Sequence, residues 1–514
     1  MSSDGPPCGM HPVFPSLIAM ACLLGWGFPA DGGQSAGLRV EDIFGRALTA
    51  HGLVLVDWEG TIANPAIKFF ILPPPDARYP ARLVVRASEP RLYFDLPGTT
   101  GPDGPRKEIR LDRPERSPVS VSIFPDRDSL DEEYALEVEF TDADGASRAL
   151  KVPVHVVDQD RDRPASFPVA VDFSQDRTGF FADEARRAVV VRAAEDWAYF
   201  FDGEGLEPIA AGAETTLIWN PDGFNSTRPV TNAQRYVGYR LYAYGIDSPL
   251  LRSGGEPSWL GGFQSQGGKA LGLRRSGGYE AEVKGNYNRK GWLVGVDDAP
   301  WWRATNLRDV EADLYSIAHH EIGHALVFNP ANLRFGAAKL LGTLRDDRLR
   351  AYLGSGSDPA IDRADHLAGS LDPTSQRGAF GNEYHGRTPQ GRWLITKLDL
   401  LCAQAIGYRL RDTSAFAPLA LRTLTLPEGV AAVPYTATLH AAGGIPFYYW
   451  QVVEGSLPDG LALDSFTGEL RGTPKRSGAF EFTVRVRDYD ETGPGQVRRL
   501  RLEVGDRNRP RALR

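Results

Sequence analysis

His320 and His324 stand four residues apart with Glu321 between them, and this run offers the most direct chemistry in the chain. At ~3.6 residues per turn, residues four apart share one face of a helix, so both imidazoles can grip a single metal ion. Glu321 is then placed to take a proton from a water that the metal acidifies, acting as general base in hydrolysis. A catalytic Zn2+ takes three protein ligands and keeps one position for water. The downstream candidates for the third ligand are His366, Asp365, His385 and Glu383.

The element that must carry this run is a helix. Leu314, Ile317, Ala318, Ala325 and Leu326 supply apolar positions at mixed three and four spacing, Asn306 or Asp309 offers a cap, and Asn329-Pro330 is a stop. A buried helix from Leu307 to Phe328 is predicted. His319 is expected to pack or face solvent. His51, His155 and His440 fall among strand-like segments and are expected to take no part in the metal site.

The 514 residues suffice for three or four domains, each with its own core. A net charge of -8, with no long Lys/Arg cluster, argues against a nucleic-acid partner. The 55 glycines and 38 prolines suit loop-rich β domains better than a helical bundle. No glycine-rich phosphate loop follows a suitable strand and no serine nucleophile elbow is present, so nucleotide and serine-hydrolase chemistry have no foothold.

The apolar stretch from Val13 to Phe28 is short for a membrane span and fits a signal peptide or leader over residues 1–36, with cleavage after Ala30 or Ala36. Export to the cell envelope or the medium is expected. Cys8 and Cys22 then leave with the leader, and Cys402 remains as a single core cysteine. The methionines are Met1, Met10 and Met20, so a processed chain contains none.

Period-two runs between Asp-Gly and Pro-Gly turns predict a β-sandwich over 38–158, with strands at Leu83–Val85, Leu92–Phe94, Val119–Ile123, Tyr134–Phe140 and Val152–Val157. From 166 to 412 the character changes. Phe167–Phe173 reads as a strand, Asp183–Phe201 as a helix capped by Asp183, Thr215–Trp219, Val237–Ile246 and Trp292–Val296 as strands, and Leu394–Ile406 as a last helix. A second β-sandwich is predicted over 417–505. Asp158, Asp160 and Asp162 at one junction, and Asp488 with Asp490 at another, read first as solvated linkers and second as hard oxygen ligands for Ca2+.

The run His319–Phe328, HHEIGHALVF, resembles the metal helix of matrixin-like and leishmanolysin-like zinc metallopeptidases. The closing DLLCAQAIGY, ending at Tyr408, looks like the terminal helix of that group. The resemblance implies a secreted α+β zincin-like endopeptidase domain that holds Zn2+ through His320 and His324. Leishmanolysin-like proteins bring in the last histidine after an insertion, which favours His366, with Asp365 behind it; His385 is the alternative, and Glu383 would make the site gluzincin-like. Related enzymes use a nearby phenol to stabilise the oxyanion, a role open to Tyr384, which otherwise reads as an ordinary loop tyrosine. Two departures mark the chain as divergent. Val327 and Pro330 stand where the extended metzincin motif has Gly and a third His, and no methionine is available for a Met-turn.

Tyr435–Asp488 is similar to the immunoglobulin-like repeats of bacterial exported proteins, through Gly443-Gly444, Trp450, Leu457-Pro458-Asp459-Gly460-Leu461, Thr467-Gly468 and Gly472-Thr473-Pro474. It implies a spacer or attachment module, with Trp450 filling the core. The expected architecture is thus a zincin-like metallopeptidase domain flanked by N- and C-terminal immunoglobulin-like β-sandwiches. Its expected partners are a protein or peptide substrate and a cell surface or matrix. A non-catalytic adhesion or structural protein using the same scaffold with structural zinc is the alternative, against which Glu321 speaks, because zinc binding alone does not require it.

Overall fold

The computed structural model describes residues 37–246, 276–282, 292–293, 312–368, 394–489 and 493–506, apart from 90, 96–104, 162, 164–165, 178, 205, 207, 214, 221–222, 331, 355 and 364. These residues form several β-sheets with few helices, in two compact units that divide between Phe416 and Ala417.

The unit from Ala36 to Phe416 opens with nine strands: β1 (Arg39–Asp42), β2 (Leu53–Asp57), β3 (Ile67–Leu72), β4 (Ala81–Ala87), β5 (Leu92–Asp95), β6 (Arg106–Leu111), β7 (Ser117–Ile123), β8 (Glu132–Thr141) and β9 (Ser147–Asp158). One sheet has the order β1-β3-β7-β5 and the other β2-β9-β8-β4-β6, with β2 packed across against β7. Alternation decides which side chains meet between them. In β3, Ile67, Phe69 and Ile71 are buried while Lys68, Phe70 and Leu72 between them are partly exposed, as a strand with one buried face requires. All the pairings are antiparallel except β2 with β9.

Beyond Asp158, β10 (Val169–Asp172), β13 (Tyr239–Ile246) and β14 (Ser276–Glu282) form a parallel sheet in the order β10-β13-β14. Between the first two lie α1 (Glu184–Phe200) and a hairpin of β11 (Thr215–Asn220) with β12 (Gly223–Thr231). The Asp183 side chain caps α1 by accepting the Ala185 amide, as a carboxylate at an N-cap does. A short parallel pair, β15 (Trp292–Leu293) with β16 (Ala312–Asp313), leads into α2 (Leu314–Leu326), which packs against α1. Then follow α3 (Leu333–Leu341), α4 (Asp347–Leu353), a hairpin of β17 (Ala360–Ile361) with β18 (Leu367–Ala368), and α5 (Lys397–Ala405).

Two predicted helix starts move inward. The helix that carries His320 and His324 begins at Leu314 and not Leu307, because Ala312 and Asp313 are paired with β15; Asn306 and Asp309 lie outside the described residues. The last helix begins at Lys397 and not Leu394. Thr396 and Asp399 close a capping box there, while Ile395 stays extended and accepts the Ala63 amide through its carbonyl. Cys402 is fully buried in α5, as expected of a core thiol.

Among the described residues, the second unit holds nine strands in the range Ala420–Gly505. Gly429–Val430, Tyr449–Gly455, Gly478–Arg487 and Gln496–Gly505 make one sheet, and Tyr435–Thr438, Leu461–Leu463 and Glu469–Gly472 another. Trp450 fills the core with Leu470, Val484, Val486 and Leu502. Gly468, at φ +72°, approaches that indole so closely that a Cβ would lie 2.9 Å from it, which only glycine tolerates.

Candidate metal centre

The helix α2 is gripped at several backbone points. The indole of Trp197 on α1 donates to the His319 carbonyl (2.9 Å), Tyr239 on β13 donates to the Ala325 carbonyl (2.6 Å), and Tyr408 after α5 donates to the Leu326 carbonyl. The last four carbonyls of a helix have no partner within it. A buried helix end therefore needs such donors, and the two phenols supply them. The Tyr408 ring stacks on Phe201, which ties the terminal Gly-Tyr to the end of α1.

His320 and Glu321 are buried, each 6 % exposed, and His324 is partly so. The β17–β18 hairpin brings His366 to them. His366 Nε2 lies 3.2 Å from His324 Nε2 and 3.3 Å from His320 Nε2. Nitrogens about 2.0–2.1 Å from a tetrahedral Zn2+ lie about 3.3–3.4 Å apart, so the spacing fits that ion.

The tautomers fit as well. His324 Nδ1 faces the Phe328 carbonyl at 3.1 Å and must be the protonated nitrogen, which leaves the Nε2 lone pair pointing at its neighbours. His366 Nδ1 lies 3.4 Å from the Asp362 carboxylate, which also accepts the His366 amide at 2.9 Å. Both second nitrogens are thus oriented by acceptors, the usual arrangement behind a metal-binding imidazole. Burial, reinforced by His366, pushes His324 down to about 3, so its imidazole is neutral across the physiological range. Two lone pairs facing each other at this distance repel unless a cation lies between them.

Of the residues expected here, His320, His324 and His366 come together, with Glu321 next to the first of them. Asp365 is not behind His366: at φ +68° its carboxylate turns to Lys339, and Asp362 takes the role instead. His385, Glu383 and Tyr384 lie outside the described residues. His319 is fully buried and bonds through Nε2 to Asp196 at 3.0 Å, so it packs and does not face solvent. Sequence reading missed Asp196 and Asp362. A signal existed for Asp196, one acid among Ala193, Ala194, Trp197 and Ala198 on a buried helix face.

The acidic junction gathers differently. Asp57, Asp126 and Asp158 bring oxygens within 4.8 Å of one another. Arg91 lies among them, 3.0 Å from Asp57 and in contact with Asp126 and Glu132. Burial pushes Asp57 well above the usual carboxylate range, and Asp158 and Asp160 up to about 7. Of the other expected Ca2+ ligands, Asp162 and Asp490 lie outside the described residues, and Asp488 accepts the Ile445 amide at 2.9 Å.

Residues 417–498 match the family model described as "Putative Ig domain", so the second unit carries an immunoglobulin-like domain. No curated protein matches the chain. Among solved structures it is similar to a "putative alpha-galactosidase" from Bacteroides fragilis NCTC 9343, at 23% identity over 18% of this chain and 18% of that one, with TM-score 0.16. The E. coli chaperone DraB is similar at 10% identity over 40% of this chain and 84% of that one, and the periplasmic chaperone SfaE at 8% over 39% and 86%, both with TM-score 0.16. The chain spans less than a fifth of the galactosidase. No helix among the described residues is long and apolar enough to cross a membrane.

Proposed function

We propose that the chain is an exported zinc-dependent endopeptidase of divergent zincin type, with His320, His324 and His366 as metal ligands and Glu321 as general base. The observation that carries this reading is the convergence of three imidazole Nε2 atoms at 3.2 and 3.3 Å spacing on a buried helix that also bears Glu321. Imidazole nitrogens suit a borderline-soft divalent ion such as Zn2+. Zn2+ held there would supply Lewis acidity. Glu321, one residue from His320, receives the proton from the attacking water and passes it to the leaving amine. Phe328 and Asp362 keep His324 and His366 in the tautomer that offers Nε2. The apolar stretch from Val13 to Phe28 and the immunoglobulin-like domain support export, with the β modules placing the enzyme on a surface or substrate.

The test is zinc content with casein cleavage on wild type, Glu321→Ala and His366→Ala. Glu321→Ala is expected to keep about one zinc per chain and lose cleavage by roughly 10²-fold or more. His366→Ala is expected to lose the zinc. Wild type without zinc would sink the reading, while zinc without cleavage would favour the adhesion scaffold.

A further inference from the structure

Asp196 on α1 is fully buried and gathers four donors from three parts of the chain. Tyr315 and His319 of α2 bond to one oxygen, His319 at 3.0 Å; Arg192, at 3.2 Å, and Arg127 meet the other. Arg127 belongs to neither helix. It comes from the β7–β8 connection of the N-terminal sandwich, 35% exposed at its side chain, and reaches the buried carboxylate. The same sandwich touches this region elsewhere. Glu59 accepts the Tyr199 hydroxyl at 2.6 Å and faces Arg163 at 3.1 Å, and Ala63 donates to Ile395 at 2.8 Å.

Tyr315 and His319 are four apart and form one stripe of α2. His320 and His324 form the next stripe, about 100° around the axis at 3.6 residues per turn. A clamp on the first stripe therefore fixes how far the helix is turned, and with it where the second stripe points. Side chains reach about 5–6 Å from a helix axis, so a turn of about 10° moves a ligand nitrogen by about 1 Å. Metal–ligand distances tolerate only about 0.2 Å. The Trp197 donor to the His319 carbonyl comes from the residue next to Asp196, so main chain and side chain are held from one point.

We propose that Asp196 and Arg127 are positioning residues that set the rotation of the metal helix, making the N-terminal β-sandwich part of the metal centre and not a detachable module. The inference rests on the metal-centre reading above.

The test uses the full chain as wild type, Arg127→Ala, Asp196→Asn and, as a surface control in the same sandwich, Arg110→Ala. Each is loaded with Co2+, and its absorption spectrum and its affinity by chelator competition are read well below the unfolding temperature. Hydrogen exchange of residues 314–326 is measured on the metal-free protein. Arg127→Ala and Asp196→Asn should each weaken Co2+ binding about 10–100-fold, the scale of outer-shell changes, shift the Co2+ bands and speed exchange in the helix, with Arg110→Ala unchanged. Wild-type spectrum, affinity and exchange in both variants, with only a lowered melting temperature, would overturn the proposal. If wild type takes up no Co2+, the metal reading falls by itself, and exchange still decides: an unaltered helix in Arg127→Ala overturns the positioning role, and a loosened one upholds it.

Discussion

Two clusters in the Ala36–Phe416 unit bring three metal-capable side chains within 4.8 Å, and they do so on opposite terms. Around His324 the donors are imidazoles whose outer nitrogens face Phe328 and Asp362, so their inner lone pairs converge. Around Asp57 the donors are carboxylates, and the Arg91 guanidinium already stands against them. Convergence alone thus does not define a metal site. What marks the carboxylate cluster is that the protein supplies its own cation there. Asp126 and Arg127 are neighbours in one connection, the first serving Arg91 and the second serving Asp196 behind α2.

The comparison breaks most visibly if Arg91 is removed. Arg91 is buried, and it also donates to the Phe124 carbonyl at 2.9 Å. Arg91→Met leaves Asp57 buried without its ion partner, and breaking such a pair costs about 3–5 kcal/mol. Denaturant unfolding of the full chain should show that loss. Pairing Arg91→Met with Asp57→Asn should return part of it, since the uncompensated charge is then gone. A variant as stable as wild type would show that the carboxylates balance themselves by protonation and that Arg91 is not their cation.

The histidine side is sharpened by Asp362→Asn. The amide can still accept from the His366 backbone, but it carries no charge toward Nδ1. Metal affinity should fall by about 10–100-fold, or about 1.4–2.7 kcal/mol, with folding stability little changed. Chelator competition measures it. An unchanged affinity would mean that the 3.4 Å contact does not orient His366.

Much of this is legible in the sequence where the signal is local. The strands of the first sandwich, the cap at Asp183 and the pair His320 and His324 follow from period and spacing over a few residues. The start of α2 is not, because β15 claims Ala312 and Asp313 by a pairing across sequence. Nor is Asp362, whose role depends on a hairpin that sets it against His366, nor the link from Arg127 to Asp196, which joins distant segments. Asp365 is the instructive case. Adjacent to His366 in sequence, it is turned away by its left-handed backbone, whereas Asp362, four residues off, faces the ring. Distance along the chain says little about which acid stands behind a ligand in a loop.

The smallest effect expected is a pH slope from the acidic junction. Asp158 and Asp160 are held up to about 7, above an unfolded value near 3.8, with burial as the main cause and neighbouring acids adding to it. A raised carboxylate binds its proton more tightly in the folded chain than in the unfolded one. Between about pH 4 and 7 the folded state therefore carries more protons, and stability falls as pH rises through that window. Both groups are partly in solvent, so screening keeps the change to on the order of 1 kcal/mol. Asp158→Asn cannot ionise and should flatten the slope, raising the melting temperature at pH 8 more than at pH 5. Millimolar Ca2+ tests whether the junction takes a second cation: with Arg91 in place the slope should remain. A slope that Ca2+ abolishes would put a cation beside Arg91 and remove the contrast with the histidine cluster.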